Sequence, residues 1–224
     1  MTEPASHSRG GTVAGLILVL ALGLLPLAGG KDISVTPAGL WRSDLVKWGF
    51  TAALLLVVAF WEGRGLSSIG LRRPRLREVA IGVGAAAGWL LLQQVISGLV
   101  LDPLGVSTEI PTVEVIVGLP LLQRASLVVT AAVSEEILFR GFLMSRVEEL
   151  TGRAWTAVLA TVVLFVVAHM AHFGLAANAV QAVLTLGMAL LFLWRRDLTA
   201  PVVMHLVIDG TGLILLPFLG LPHG

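Results

Sequence analysis

The sequence predicts an all-α protein, a polytopic transmembrane helical bundle of about seven spans. Three observations predict it. Of 224 residues, 56% are hydrophobic and 13% charged, which is more apolar surface than one soluble core buries and the ordinary load of a bilayer protein. The apolar residues gather into stretches close to the roughly 20 that a spanning helix needs. Arginines and acids, finally, sort to alternate connections between those stretches, as they do across a membrane.

The stretches run from Thr12 to Ala28, Leu45 to Trp61, Val79 to Leu101, Leu121 to Val147, Ala154 to His172, Leu175 to Trp194 and Thr199 to Leu219. The first has Arg9 ahead of it and small residues after Leu27, a pattern shared with cleaved signal peptides, but Pro26 suits the cleavage geometry poorly and the stretch reads as a span. The third contains Gly84-Ala85-Ala86-Ala87-Gly88, a small-xxx-small pattern that lets helices approach closely, here expected to serve packing within the monomer. Thr112 to Pro120 is apolar but too short to cross, and reads as an interfacial or re-entrant piece closed by Pro120. The fourth stretch is over-long, so it is expected to tilt or to emerge into water at Arg146-Val147-Glu148-Glu149. Residues 1–120 thus hold three spans plus the interfacial segment and 121–219 hold the rest, the two together forming one integral membrane domain.

The connection from Glu62 to Glu78 carries Arg64, Arg72, Arg73, Arg75 and Arg77, which assigns it to the cytoplasm by the positive-inside rule. Alternation then puts Arg9, Arg146, Arg153, Arg195 and Arg196 on the same side, with the N-terminus in and the C-terminus out. The connection from Asp102 to Glu114 holds three acids and no Lys or Arg, as an outward one should. Trp41, Trp48, Trp61, Trp155 and Trp194 fall at or near the ends of stretches, and Trp89 alone lies mid-span. Thirteen Arg against two Lys, with abundant Ala, Val, Leu and Gly, suit a high-GC bacterial genome, so a bacterial cell membrane is the expected location. The net charge of +1 gives no reason to expect a nucleic-acid partner.

Cysteine is absent. That removes disulfides, thiolate zinc sites and a cysteine nucleophile, and no serine stands in a GxSxG context. An activated water is the best remaining attacker. Against this background five polar residues lie inside apolar stretches: Glu135, Glu136, His169, His205 and Asp209. Each charge at bilayer depth costs roughly 2.5 kcal/mol or more, so by default it marks a functional site. Glu135 is the candidate general base, because an apolar helix disfavours its charge and suits it to proton transfer at neutral pH. Glu136 and Arg140, one helical turn apart, are expected to pair. Glu135, rotated about 100° around the helix, then faces the site alone. His169 shares a helix face with Phe165, His172 is expected at the membrane surface, and His205 and Asp209 converge as an i, i+4 pair.

The runs Glu135-Glu136-Ile137-Leu138-Phe139-Arg140, Phe165-Val166-Val167-Ala168-His169 and His205-Leu206-Val207-Ile208-Asp209 resemble the EExxxR, FxxxH and HxxxN/D motifs of the CPBP family of intramembrane proteases, which includes the type 2 CAAX prenyl proteases and bacteriocin-processing proteins. The resemblance covers roughly Val128 to Thr211, with Gly187 and Thr199-Ala200-Pro201-Val202-Val203-Met204 leading into the third motif. It implies that 121–219 is a catalytic helical core in which Glu135 and His169 activate water, His205 and Asp209 stabilise the oxyanion, and Glu136 and Arg140 support the base. It implies an endopeptidase acting on a membrane-associated protein or peptide, prenylated if the CAAX branch is the guide.

One departure stands out. Where the motif often ends in Asn, Asp209 cannot donate a hydrogen bond while ionised. It is kept protonated, orients His205, or ligates a metal. His169, His205 and Glu135 would make a catalytic Zn2+ site with an open water position, although no HExxH helix supports one. Two other functions compete: a proton- or ion-coupled transporter, which also carries mid-depth carboxylates and histidines but is expected to show repeats not found here, and a non-catalytic immunity or scaffold protein on the same fold.

Overall fold

A computed structural model describes residues 9–28, 36–107, 110–170 and 175–220, with the side chains of 25–28, 111 and 112 also outside the description. Among the described residues there are eight helices and no strand. They are α1 (Arg9–Ala28), α2 (Pro37–Trp61), α3 (Leu76–Leu104), α4 (Pro111–Val117), α5 (121–151), α6 (Ala154–His169), α7 (Leu175–Arg195) and α8 (Thr199–Phe218). Local chemistry sets several boundaries. Thr36 caps α2, its hydroxyl oxygen accepting from the Gly39 amide at 3.1 Å, with Pro37 in the first helical position. Pro111 opens α4 and Pro120 immediately precedes α5.

Four of these helices, α2, α3, α7 and α8, are long and apolar enough to cross a membrane; α1 and α6 contribute shorter apolar runs, Arg9–Leu24 and Ala154–His169. The expected count of seven is therefore not reproduced by length and composition. Of the three that fall short, α1 and α6 have the shorter apolar runs, while α5 carries charges at Arg124, Glu135, Glu136 and Arg140 that are met by protein rather than by lipid. It is the centre of the bundle, touched by α1, α2, α6 and α8, while α3 lies along α8 and α7 packs on α6 and α8. Ile137, Leu138, Phe142, Phe165 and Phe192 form one buried cluster around it. A second joins Ala86 and Trp89 of α3 to Met188 and Met204, which explains the one tryptophan away from the helix ends.

Between Ala131 and Met144 the backbone of α5 changes from the i→i+4 to the i→i+5 pattern of a π-helix. The α-geometry assumed for the first motif is corrected here. The change begins where the Ser134 hydroxyl donates to the Thr130 carbonyl at 2.5 Å, a side-chain bond that competes with the backbone ladder. π-turns are usually single and often mark functional positions; this one runs for 14 residues and contains the entire first motif.

Two close approaches fix the neighbours. A Cβ on Gly141 would sit 2.9 Å from the Ile69 carbonyl oxygen, so the short 3-10 turn Leu66–Ile69 rests directly on α5. A Cβ on Gly82 would sit 2.5 Å from the Ala200 carbonyl oxygen and 2.8 Å from Val203 Cβ, which is how α3 reaches α8. Gly84 and Gly88, expected to make such a contact, have nothing within 4 Å of their missing Cβ positions.

Arg146 also departs from expectation. It does not emerge into water but is fully buried, its Nε and Nη2 donating to Glu62 at 2.6 to 3.1 Å and Nη2 also to Ser68 at 3.0 Å. Thr12 donates to the same Glu62 at 2.8 Å, Arg64 pairs with Glu149 at 2.7 Å, Arg196 with Glu148 and Arg195 with Glu78. Arginines 64, 146, 195 and 196 thus gather at one end of the bundle.

Candidate active site

Glu136 and Arg140, both on the π segment, are fully buried and meet as expected, Nη1 donating to Oε1 at 2.9 Å. The arginine is held from the other side by aromatic and sulfur atoms. Its guanidinium carbon lies 4.5 Å from the centroid of Phe165, a cation–π contact, and Nη2 lies 3.8 Å from Met188 Sδ. The same Glu136 Oε1 is 2.9 Å from His205 Nδ1. On its far side, His205 Nε2 is 3.3 Å from Asp209 Oδ2. Since carboxylates only accept, this row of carboxylate, imidazole and carboxylate holds one proton more than a neutral ring between two ionised acids would carry.

His169, at the last residue of α6, donates from Nδ1 to the Phe165 carbonyl at 2.8 Å and stacks on the Phe165 ring, centroids 4.3 Å apart. With Nδ1 so engaged, the neutral ring keeps its lone pair on Nε2. Phe139 meets the same Phe165 edge-on at 5.2 Å, so the second motif's aromatic residue is a seat for both Arg140 and His169.

Glu135 is 5% exposed and points the other way. It does not stand alone. Lys47 Nζ of α2 donates to its Oε1 at 2.6 Å. A polar seam between α2 and α5 delivers this lysine: Gln123 Nε2 to the Pro37 carbonyl at 2.6 Å, Ser126 to Asp44 at 2.6 Å, and Trp48 Nε1 to Thr130 at 3.0 Å. Sequence reasoning missed Lys47, although a lysine inside the stretch from Leu45 to Trp61 was itself the signal.

Lys47, Glu135, His169, His205 and Asp209 all line one cavity of about 370 Å3, with Trp89, Ile116, Leu184 and Leu213 among its apolar walls. Glu136 and Arg140 lie behind this lining, and His172 lies outside the described residues. By the span limits read from sequence, His169 lies toward the outer end of its helix and His205 toward the inner end of its own, yet the two rings reach a common space.

The residues do not fit the zinc site proposed from sequence. Both nitrogens of His205 face carboxylates, and Oε1 of Glu135 is taken by an ammonium. Among the described residues no three His, Asp or Glu side chains are placed to share a metal ion.

The fold and this cavity together define a class, an integral membrane protein that encloses carboxylates and imidazoles within a bundle of apolar helices. Residues 117–211 match the family model of the type II CAAX prenyl endopeptidases, Rce1-like, so the resemblance of the three motifs to CPBP intramembrane proteases stands for that segment. The matched segment contains all seven motif residues and supports, at a general level, a CAAX-type intramembrane endopeptidase. A comparison with curated proteins and one with solved structures each found no match.

Proposed function

We propose that the protein hydrolyses a peptide bond of a membrane-anchored substrate by a glutamate-type mechanism, with a prenylated CAAX-like tail as the substrate class. The observation behind this reading is that Glu135, His169 and His205 line one cavity whose remaining walls are largely apolar. Such a space suits a lipid-modified peptide, whose entry would displace bulk solvent from the reacting groups. Glu135 takes the proton of the attacking water, and His169, ring fixed by Phe165, accepts a second hydrogen bond that orients it. Of the Glu136–His205–Asp209 row, His205 and Asp209 line the same space with Glu136 behind them, and the extra proton held by the row reduces the negative charge that a developing oxyanion meets there. Glu135 then returns its proton to the leaving amine.

The test is cleavage of a quenched-fluorescence peptide ending in a farnesylated CAAX sequence by the protein purified in detergent. Glu135→Gln should lower kcat by about 10²- to 10⁴-fold with an unchanged elution volume on gel filtration. Because both nitrogens of His205 face carboxylates and Oε1 of Glu135 is taken by Lys47, cleavage should survive chelators. Chelator-sensitive turnover, or full activity in the Gln variant, would refute the mechanism.

A further inference from the structure

In this chain the groups that the motifs nominate for the oxyanion are already committed to one another. Asp209 spends a carboxylate oxygen on His205, and His205 has a carboxylate at each ring nitrogen. Lys47 is the one Lys or Arg among the described residues lining the cavity, and its side chain is 28% exposed. An ammonium has three N–H donors; one reaches Glu135 Oε1 at 2.6 Å. We infer that Lys47, from outside the three motifs, is a catalytic residue that donates to the oxyanion in place of the amide that Asp209 does not supply. The inference rests on the hydrolytic reading above.

The charge balance argues for it. As the water oxygen bonds to the carbonyl carbon, its proton passes to Glu135 and the carbonyl π pair moves onto oxygen. Negative charge leaves the carboxylate and appears a few ångströms away. An ammonium within hydrogen-bond reach of Glu135 loses its partner at that moment unless the oxyanion becomes the new one. The attraction therefore grows as the barrier is climbed, which is what lowers it. Collapse restores the carbonyl, breaks the C–N bond and sends the Glu135 proton to the amine. Lysine is unchanged over the cycle.

The experiment pairs turnover with binding. With the farnesylated peptide above, Lys47→Met should lower kcat by about 10²- to 10³-fold, the usual loss of one oxyanion donor, and leave KM within threefold; a purely structural lysine would lose active protein without that split. Because Lys47→Met leaves Glu135 without its counter-ion, a second comparison removes both charges. A peptidyl phosphonate, mimicking the tetrahedral intermediate, should bind Glu135→Gln at least tenfold more tightly than it binds the Lys47→Met/Glu135→Gln double variant, while the matched uncleaved amide binds both alike. Equal phosphonate affinity, or wild-type kcat in Lys47→Met, overturns the role of Lys47 and leaves the protease reading standing. A wild-type protein that neither cleaves the peptide nor prefers the phosphonate to the amide overturns both.

Discussion

Arg140 and Arg146 are both fully buried, and each survives burial because a glutamate on a neighbouring turn or helix takes its charge. Removing one partner of such a pair strands the other. Arg146→Leu should therefore destabilise by about 3–5 kcal/mol, whereas Arg146→Leu with Glu62→Leu should recover most of the loss; thermal midpoints in a single detergent would show the difference. Arg140 was legible as a partner of Glu136 from four-residue spacing alone. The burial of Arg146 was not, because a charged tetrad at the end of an apolar stretch looks the same whether it meets water or a glutamate contributed by residue 62. Lys47 escaped notice for the opposite reason: nothing near it in sequence names its partner, which lies 88 positions further on.

Among the helices, α5 is the least readable from its pattern. All but one of the residues from Ala131 to Met144 are buried, so no polar face remains to reveal how many residues make a turn, and the π geometry left no mark on the hydrophobic period. Glycine packing was misplaced by two positions for a related reason. The repeat at Gly84 and Gly88 fits a spacing rule, but which face of α3 meets α8 depends on the partner, and there the contact is made by Gly82. Gly82→Leu should cost about 1–3 kcal/mol through overpacking against Ala200 and Val203. Gly84→Ala, with open space around it, should be neutral or stabilise by about 0.4–1 kcal/mol. Unfolding midpoints of the two variants, measured side by side, check the assignment.

Over the whole molecule, the helical membrane class followed from composition, and the three motifs marked the segment that the family model matches. A number of spans did not follow, because the apolar runs of α1 and α6 are shorter and α5 is too polar for lipid and is sheltered by its neighbours instead. Outside the spans, one ion pair sets a pH response: the hydrogen bond from Arg196, with burial opposing it, holds the Glu148 carboxyl below its ordinary value of 4.5. A depressed folded-state value stabilises above the unfolded value and is lost as pH falls through the folded one. Wild type should thus exceed Glu148→Gln by less than about 1 kcal/mol at neutral pH, and the gap should close in acid, as paired melting curves across pH would record. The seam between α2 and α5 carries a wider lesson for engineering. Lys47 belongs to the half of the chain without family motifs, so a chimera that transplants residues 117–211 onto foreign membrane helices would import the glutamate without its counter-charge, and would need a cation grafted opposite it before its hydrogen-bonding network could re-form.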